Sequence, residues 1–436
     1  MRDIQLQKRA NLLKLHPCFN GCGGKNTRIH LPVAPSCNIQ CNYCMRKYNC
    51  ANESRPGVTA KVLAPEEAAE RFLEARKRLG KIDVAGVAGP GDALAEFDRM
   101  RETFALIREA DDDVVFCLST NGLLLPRYAG DIAGMGVSHV TVTVNAASPY
   151  EGRRIYRYVQ YEGKCYSGAE GADILLENQY EGISRLRDLG IVTKVNIIML
   201  KDINAGVIPE IVAKVKKAGA DMTNIMQIIP APGAIFEHIP MASNAELTEM
   251  RKTCEAILPQ MYHCRQCRAD AVGTLDEDIS FQFVGGKGCD ESERSTLEKE
   301  SAAALGGYSG RDVRPLFFAA ASKNGVAVDQ HFGHASAFYI YHYKNGAVEF
   351  IEKRDVSKYC RGRENCVHNS AECLNGIIET LGDCDGVIAM RIGDIPRRRL
   401  AEQGVQFFMT YDYVANAVKE FGKTFDKEIA TDNAAP

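Results

Sequence analysis

Short apolar runs alternate with longer amphipathic runs from about residue 29 to residue 275. Six short runs rich in aliphatic and β-branched residues predict strands, and five longer runs with apolar positions three and four residues apart predict helices. The predicted strands are 29–34, 83–88, 114–118, 139–144, 192–200 and 223–229, and the predicted helices are 65–80, 95–109, 173–189, 207–218 and 244–259. Strands that alternate with helices build a parallel sheet. We therefore predict an α/β fold with a partial (β/α)6 barrel over residues 29–275.

A different pattern begins near residue 314. It predicts a smaller α/β domain over 314–436, whose first strands are joined by hairpin-type turns at Asn324-Gly325 and Asn345-Gly346. The predicted strands are 314–321, 337–343, 347–356, 386–390 and 405–409, and the predicted helices are 371–381 and a last one near the end of the chain. Residues 276–313 are polar and rich in glycine, which predicts a linker between the two domains.

Composition and charge narrow the class of protein. The chain has 436 residues, and its 53 Lys and Arg against 56 Asp and Glu give a formal charge of −3. Proteins dedicated to nucleic acid normally have a basic excess, so we expect no nucleic-acid binding. The chain has no long apolar run and no apolar segment near its start, so we expect a cytoplasmic protein with no membrane span and no secretory signal. In a reducing compartment the 16 cysteines are expected to bind metals or clusters rather than to form disulfides.

The sharpest chemical signal is the cysteine motif Cys37-Asn-Ile-Gln-Cys41-Asn-Tyr-Cys44. Its three thiolates can hold three irons of a [4Fe–4S] cluster and leave the fourth iron open to a small chelating molecule. The motif follows the first predicted strand, at the end of a barrel strand where active sites usually lie. Three buried thiols, or a zinc site with Cys50 as the fourth ligand, are the alternatives.

Glycines and polar residues also follow the predicted strands. Gly89, Gly91 and Asp92 lie in AGPGD after the second strand, where glycines permit a close backbone approach to a ligand and Asp92 adds a carboxylate. Further polar residues alternate along the next strands, and we expect the face they share to be the barrel interior. They are Ser119 and Asn121 after the third strand, Thr141, Thr143 and Asn145 on the fourth, and Lys194 and Asn196 on the fifth. Taken singly, each is more simply a polar strand end that hydrogen-bonds to solvent.

Cysteines beyond the motif indicate further metal sites. Cys264 and Cys267 form a C-x2-C pair after the last barrel helix, Cys50 lies six residues past the motif, and Cys18 and Cys22 lie upstream of it. A lone C-x2-C pair can bind zinc or act in redox chemistry. Several such positions around one open cluster favour auxiliary iron–sulfur clusters instead.

The motifs together resemble a known family. The C-x3-C-x2-C spacing, with an aromatic residue before the last cysteine, is similar to that of the radical S-adenosylmethionine (SAM) superfamily. Over roughly residues 14–275 the chain closely resembles the NifB family of nitrogenase iron–molybdenum cofactor biosynthesis proteins. The segments that carry this resemblance are HPC at 16–18, CNIQCNYCMRKYNCANESRPGV at 37–58, AGPGD at 88–92, CLSTNG at 117–122, TVTVN at 141–145 and CRQCRADAVG at 264–273.

The resemblance implies a radical SAM enzyme that handles three clusters. Two [4Fe–4S] clusters are fused with a SAM-derived carbide and an added sulfide into the [8Fe–9S–C] precursor of the nitrogenase cofactor. One SAM donates a methyl group, and the 5′-deoxyadenosyl radical from a second SAM abstracts hydrogen from it. The implied partners are iron–sulfur scaffold proteins that deliver clusters, carriers or scaffolds that receive the product, and an electron donor. Another radical SAM metal-cofactor maturase and a non-catalytic iron–sulfur carrier are the alternatives.

The resemblance also implies roles for particular residues. Cys37, Cys41 and Cys44 would hold the SAM-cleaving cluster. The implied ligands of the substrate clusters are Cys18 and Cys50 for one and Cys264 and Cys267, with Cys117, for the other. The expected SAM-binding residues are Tyr43, Gly89, Gly91, Asp92, Ser119, Asn121, Thr143 and Asn145, and Glu53 and Arg55 are expected in binding or proton handling.

The N-terminal segment departs from the family at one point. The family usually has a His-His pair after HPC, where this chain has Gly21-Cys22-Gly23-Gly24. The ligand that replaces the histidine is left open among Cys22, His16 and His30. Residues 1–28 are expected to form an N-terminal cluster-ligand segment.

The C-terminal domain has its own motif, which is Asp329-Gln330-His331-Phe332-Gly333-His334. It resembles the dinitrogenase cofactor-binding family, which implies an RNase H-like fold that carries precursor clusters. Two imidazoles three residues apart in a loop, His331 and His334, suit a late iron site. Without that resemblance, two solvent-exposed loop histidines are the simpler interpretation.

Overall fold

The computed structural model describes residues 12–19, 26–45, 56–231, 233–275, 278–283, 315–323, 325–358 and 370–432. These residues form two compact units, the first ending at Phe283 and the second covering the described residues from 315 onward. None of the described helices is both long and apolar enough to cross a membrane.

The first unit is built on a parallel sheet. Its strands are β1 (Arg28–His30), β2 (Ile39–Cys41), β3 (Val84–Val87), β4 (Val115–Thr120), β5 (Val137–Thr143), β6 (Tyr156–Tyr161), β7 (Lys164–Tyr166), β8 (Val192–Met199), β9 (Met222–Gln227) and β10 (Val272–Gly273). Seven of them form one sheet in the order β10-β1-β3-β4-β5-β8-β9, and β2, β6 and β7 form a second sheet. In the large sheet all neighbours are parallel except β10, which is antiparallel to β1. The six parallel strands correspond to the six predicted ones, which confirms the predicted α/β fold with a partial barrel.

Helices between the strands bury the outer face of this sheet. They are α1 (Pro65–Leu79), α2 (Phe97–Ala110), α3 (Leu125–Gly134), α4 (Pro149–Ile155), α5 (Gly168–Asp188), α6 (Ile208–Ala218) and α7 (Asn244–Glu255). Phe116 of β4 stacks on Phe104 of α2 with 4.3 Å between ring centroids. Because successive side chains of a strand point to opposite faces, Cys117 and Ser119 of β4 point to the other, concave face.

Several elements of the first unit differ from the prediction. Strand β1 ends at His30. In the rest of the predicted strand 29–34, Leu31 N donates to Gly86 O at 2.8 Å and an isolated bridge joins Ala34 to Pro90. Strands β2, β6, β7 and β10 and helices α3 and α4 were not predicted. The strands among them are short or rich in polar residues, so hydrophobic periodicity had little to detect.

Residues 278–283, which fall in the predicted linker, pack against the first unit. Asp278 forms an ion pair with Arg28 at 3.2 Å, and Arg71 Nη2 donates a hydrogen bond to the carbonyl of Phe283 at 3.2 Å. Phe283 itself is buried. These contacts hold the chain to the barrel beyond its last strand.

The second unit is a five-stranded sheet between helices. Its elements are β11 (Leu316–Ala321), β12 (Ala337–Lys344), β13 (Ala347–Asp355), α8 (Ser370–Leu381), β14 (Gly386–Ala389), α9 (Asp394–Glu402), β15 (Gln406–Met409) and α10 (Val414–Asp432). The strand order is β13-β12-β11-β14-β15, with β14 and β15 parallel to β11 and the other pairs antiparallel. Ala319 and Ala321 share one core with α8 and α9, while Phe318 and Ala320 share a second core with α10. The sheet is therefore covered on both faces, which confirms the predicted smaller α/β domain.

Only one of the two predicted tight turns joins neighbouring strands directly. Asn345 and Gly346 connect β12 to β13 with φ values of 51° and 84°, a region that Asn and Gly tolerate. Strands β11 and β12 are instead separated by residues 322–336, which carry the histidine motif. The prediction of a tight hairpin turn at Asn324-Gly325 is therefore wrong, and Asn324 itself lies outside the described residues.

Candidate functional site

The cysteine motif is held by its own loop and by the small sheet. Cys41 is the last residue of β2 and pairs with Tyr156 of β6. Gln40 Nε2 donates to the carbonyls of Cys41 and Cys44 at 2.9 Å each, and Cys44 N donates to Cys41 O at 3.0 Å. These hydrogen bonds fix the loop that presents Cys41 and Cys44.

The thiols of the motif fit a [4Fe–4S] cluster in their chemistry. All three are half-buried and free of disulfides, and Asn121 Nδ2 lies 3.6 Å from Cys37 Sγ, where it can donate to a thiolate. Within the described ranges, no three Cys, His, Asp or Glu side chains converge as the ligands of a single ion would. A cluster makes a different demand, because each thiolate binds its own iron. The donor set therefore fits a [4Fe–4S] cluster. The alternative of a zinc site depends on Cys50, which lies outside the described residues.

Tyr43 connects the motif to the end of β5. Asn145 Nδ2 donates to the hydroxyl oxygen of Tyr43 at 2.9 Å, and this hydroxyl is also hydrogen-bonded to Cys41. Burial, followed by the neighbouring Cys41, raises the pKa of Tyr43 well above its ordinary value, so the phenol stays neutral. Asn145 is fully buried, and its Oδ1 accepts a hydrogen bond from Ile198 N at 2.8 Å. Tyr43 and Asn145 thus form one bridge between the barrel and the motif.

The carboxylate of Asp92 joins the ends of β3 and β4. Its side chain is almost completely buried, and burial raises its pKa. Its Oδ1 accepts from Leu94 N at 3.0 Å and from Ala95 N at 3.2 Å, and its Oδ2 accepts from Asn121 N at 2.5 Å and from Thr120 Oγ1 at 3.0 Å. Asp92 therefore positions Asn121, and its predicted contact with SAM stays a prediction.

The glycines of AGPGD allow two segments of the chain to pass closely. A Cβ atom on Gly91 would lie 2.0 Å from Ser36 O, and Gly91 N donates to Ala34 O at 2.6 Å. Gly89 has a φ of 125°, which residues with side chains rarely adopt. The close backbone approach that we expected toward a ligand is made here by the segment that leads into Cys37.

Other predicted SAM-binding residues lie around the same strand ends. Asn121 Nδ2 donates to Asn38 Oδ1 at 2.6 Å, next to the first cysteine of the motif. Ser119 and Thr143 are half-buried on β4 and β5. Gln179 Nε2 holds the two strand ends by donating to the carbonyls of Asn121 at 2.7 Å and Thr143 at 2.9 Å.

A second group of thiols, termed the thiol pocket, consists of Cys18, Cys117, Cys264 and Cys267. Cys18 interacts electrostatically with the other three, and all four are half-buried and free of disulfides. Burial raises the pKa of Cys18 and raises that of Cys117 to about 12, so a bound metal must displace their protons. The structure thus joins in one pocket cysteines that the resemblance assigned to two different clusters.

Strands β1, β3, β4 and β9 contribute to the thiol pocket. Arg28 Nη2 donates to Cys267 Sγ, and Asn224 Nδ2 donates to Cys264 Sγ, both at 3.2 Å. A Cβ atom on Gly86 would lie 2.4 Å from the sulfur of the cysteine on β4, so glycine leaves room for that thiol. Arg28 and Asn224 were not predicted as site residues. For Asn224 the available signal was a polar residue inside a largely apolar strand, whereas Arg28 lies just before the predicted strand 29–34 and gave no such signal.

Three histidines lie next to the thiol pocket, of which His16 and His139 are buried and His30 is half-buried. Cys18 N donates to His16 Nδ1 at 3.1 Å, and the rings of His16 and His139 are 5.0 Å apart. Burial lowers the pKa of His16 well below its ordinary value and lowers those of His30 and His139 to about 4, so all three are neutral near pH 7. Neutral imidazole is the form that binds metals. Of the three candidates for the replaced histidine ligand, His16 and His30 lie at the pocket, and Cys22 lies outside the described residues.

Three further predicted site residues also lie outside the part of the chain that the structure describes. They are Cys50, Glu53 and Arg55. Their roles stay predictions.

His331 and His334 lie side by side in the second unit. Their ring centroids are 5.3 Å apart, and His334 ends the short 3-10 helix that follows His331. His331 is 9% exposed and His334 is half-buried. Phe332 N donates to Arg391 O at 2.9 Å, which ties the loop to the chain just after β14. Two adjacent imidazoles in a fixed loop suit an iron site better than two independent surface side chains would.

Comparisons with known proteins cover both units. Residues 31–225 match the family model described as the radical SAM superfamily, and residues 314–424 match the model described as dinitrogenase iron-molybdenum cofactor. The relatives named FeMo cofactor biosynthesis protein NifB include three from different organisms. The relative from Klebsiella pneumoniae is 38% identical over 410 residues, which cover 91% of this chain and 87% of its own. The relative from Frankia alni is 37% identical over 456 residues, covering 96% and 89%. The relative from Azotobacter vinelandii is 36% identical over 425 residues, covering 90% and 84%. These similarities confirm the resemblance carried by the motifs, and this chain belongs to the family of FeMo cofactor biosynthesis proteins NifB.

Proposed function

We propose that this protein is a radical SAM enzyme that builds the iron–sulfur precursor of the nitrogenase cofactor. Its substrates are two [4Fe–4S] clusters, which it fuses with a SAM-derived carbide and an added sulfide into an [8Fe–9S–C] product. The radical SAM family match over residues 31–225 supports a resident [4Fe–4S] cluster and SAM. The observation that carries the rest of the proposal is a second set of thiols inside the same barrel.

Strand β4 connects the two sets of thiols. Cys117 and Ser119 point to its concave face, and Asn121 follows directly with its amide near Cys37. At about 3.3 Å per residue, the four steps of extended chain from Cys117 to Asn121 span roughly 13 Å. This separation suits a reaction in which a group generated at the motif acts on a substrate in the pocket.

The residues around the motif have positioning roles in this proposal. When held by Cys37, Cys41 and Cys44, a [4Fe–4S] cluster with SAM supplies one-electron cleavage of the SAM sulfonium. Asp92 fixes the backbone of Asn121, and the Asn121 amide points to Cys37 Sγ. The chain therefore sets the orientation of the first thiol from the end of a rigid strand.

The thiol pocket is proposed to hold the substrate clusters, with Cys50 as a further ligand. The pocket brings together ligands from both expected sets. They are Cys18 from one set and Cys117, Cys264 and Cys267 from the other. Two clusters bound by these residues would meet without leaving the protein. Glu53 and Arg55 are proposed to act in binding or proton handling.

The second unit is proposed to hold the product before transfer. His331 and His334 supply the imidazoles, and the cofactor family match over residues 314–424 supports this role. A carrier or scaffold protein would then receive the product. Iron–sulfur scaffold proteins would deliver the substrate clusters, and an electron donor would supply the reducing equivalents.

The test is anaerobic reconstitution with iron and sulfide, followed by addition of SAM and dithionite. Iron, S-adenosylhomocysteine and 5′-deoxyadenosine are measured. The native protein is expected to bind about twelve irons, as three [4Fe–4S] clusters, and to form both products. The double variant Cys264→Ala and Cys267→Ala should lose iron but keep the cluster of the motif. Cys165→Ala, which removes an exposed thiol on β7, is the matched control and should change neither iron nor products.

The alternatives predict other results. About four irons with 5′-deoxyadenosine alone would leave a radical SAM enzyme but refute the substrate clusters. A full iron content with neither product would favour a non-catalytic iron–sulfur carrier.

A further inference from the structure

Lys194 is a buried cation on the concave face of β8. Its side chain is 6% exposed, and its Nζ lies 3.9 Å from Met261 Sδ and 5.4 Å from the centroid of the Phe19 ring. Among the residues that the structure describes, no carboxylate forms an ion pair with this Nζ. An ammonium group buried without an anion is strongly unfavourable. An anionic ligand bound next to Lys194 would offset this cost.

Arg28 is another buried cation at the thiol pocket, and protein groups already balance its charge. Its guanidinium pairs with Asp278 at 3.2 Å and donates to the carbonyls of Gly273 at 2.9 Å and Thr274 at 2.5 Å. These groups would hold Arg28 in place whether or not a ligand is bound. Within the described part of the chain, Lys194 has no comparable set of acceptors. Its hydrogen-bond partner there is the thioether sulfur of Met261, which accepts only weakly.

The cysteines near Lys194 indicate which class of anion would bind there. Lys194 interacts electrostatically with Cys18 and Cys117 of the thiol pocket and with the buried His16 and His139. Cysteine binds metal as the thiolate, so a cluster held by several thiolates brings negative charge into the pocket. The side chains named around Lys194 are thiols and imidazoles, and no carboxylate is among them.

We propose that Lys194 is the counter-cation of an anionic, thiolate-ligated iron–sulfur cluster bound in the thiol pocket. Its Nζ donates to a sulfur of this cluster and balances part of its charge. The inference rests on the proposed function, since it requires a substrate cluster at Cys18, Cys117, Cys264 and Cys267. It adds a binding residue that contributes charge and a hydrogen bond but no bond to iron.

The experiment compares the full-length variants Lys194→Met and Lys194→Arg with the native protein after anaerobic reconstitution. Release of iron to a chelator, the reduction potentials of the clusters and the thermal midpoint of the apo protein are measured. The Met variant should release pocket iron on the order of a hundredfold faster, because one partner of a buried charge pair is gone. Its pocket cluster should also have a lower reduction potential, since removal of a positive charge disfavours the reduced state. The Arg variant keeps the charge and should behave much like the native protein.

Two further measurements separate a binding role from a structural one. The apo Met variant should melt no earlier than native apo protein, because replacing a buried unpaired charge by an apolar chain is neutral or stabilising. Lys214→Met is the control for charge loss, since Lys214 lies on α6 in an exposed pair with Glu210 at 2.8 Å. It should leave iron release and potentials unchanged. Lys194→Gln gives the same test of charge if the Met variant yields no soluble protein.

The outcomes distinguish this inference from the proposed function. Native iron release and native potentials in Lys194→Met, or in Lys194→Gln, would refute the role of Lys194 while leaving the substrate clusters in place. Native protein that binds only the cluster of the motif would refute the proposed function, and the inference with it. A lower apo thermal midpoint with unchanged potentials would make Lys194 a structural residue.

Discussion

The hydrogen bonds of Asp92 allow a quantitative prediction. In the variant Asp92→Asn, an NH2 group replaces one carboxylate oxygen and cannot accept a hydrogen bond. The backbone N–H groups of Leu94 and Ala95 meet Oδ1, and that of Asn121 meets Oδ2. Whichever way the new amide turns, at least one backbone N–H loses its acceptor.

The expected cost is about 3 kcal/mol in the free energy of unfolding of the first unit. A buried N–H without an acceptor costs about 1–3 kcal/mol, and the remaining bonds weaken because their acceptor is no longer charged. Only 3% of the Asp92 side chain is exposed, so water cannot easily take the place of the lost acceptor. Burial raises the pKa of Asp92, which means that removing its charge recovers part of this cost. The total is therefore smaller than the sum of all the weakened bonds.

The assay is urea unfolding of the full chain, followed by circular dichroism, together with hydrogen exchange of the affected amides. The amides of Leu94, Ala95 and Asn121 should exchange faster in Asp92→Asn than in native protein. Asp131→Asn is the control, because Asp131 is exposed on α3, and we expect a change below about 0.5 kcal/mol there. An Asp92→Asn variant that unfolds within about 0.5 kcal/mol of native protein, with native exchange at these amides, would refute the reasoning.

Two more predictions concern a glycine and two histidines beside the thiol pocket. Gly91→Ala should lower the free energy of unfolding by about 3 kcal/mol or more, because its Cβ would lie 2.0 Å from the backbone oxygen of Ser36. Gly130→Ala in α3 has no atom within 4 Å of the added Cβ and should raise the thermal midpoint slightly, and equal midpoints for the two variants would contradict this. Lowering the pH from 7 to 5 should destabilise the first unit by about 2 kcal/mol for each of His30 and His139, whose pKa values are lowered to about 4 from 6.5. In that window the unfolded chain binds protons that the folded chain does not, so stability is full above about pH 6.5 and falls toward pH 4. Urea unfolding at both pH values should show a smaller difference for His139→Gln than for native protein, and an equal difference would count against the buried neutral imidazole.

The parallel strands and most helices could be predicted because each carries its signal locally. The alternation on β4 already separates Phe116 and Leu118, which are buried in the core, from Cys117 and Ser119. The same local logic fails for β10, which exists only because residues far along the chain return to pair with β1. A strand of two residues is too short to show a hydrophobic periodicity. Strand β10 can be recognised only from its pairing with β1.

The cysteine motif could be predicted from the sequence more completely than the thiol pocket. The motif is contiguous, so its spacing alone indicates a cluster. The thiol pocket joins residues such as Cys18, Cys117 and Cys264, and no local pattern relates positions so far apart in the chain. The orientation of Asp92 was equally hidden, because a strand-end carboxylate can turn either to the cleft or to backbone N–H groups. In this structure it turns to the backbone of Leu94, Ala95 and Asn121.

The stacking of Phe116 on Phe104 has a consequence for the interior of the barrel. Arg108 adds to this contact by placing its guanidinium 4.2 Å from the centroid of the Phe116 ring. Since the side-chain period of a strand is two, a shift of β4 by a single residue would exchange its faces. The side chain of Phe116 or of Leu118, depending on the direction of the shift, would then fill the place of the Cys117 thiol, and the thiol would lie beneath α2. The packing of α2 against β4 thus determines which side chains of β4 face the barrel interior. Substitutions at Phe104 should therefore weaken metal binding in the thiol pocket, although no proposed metal ligand lies on α2.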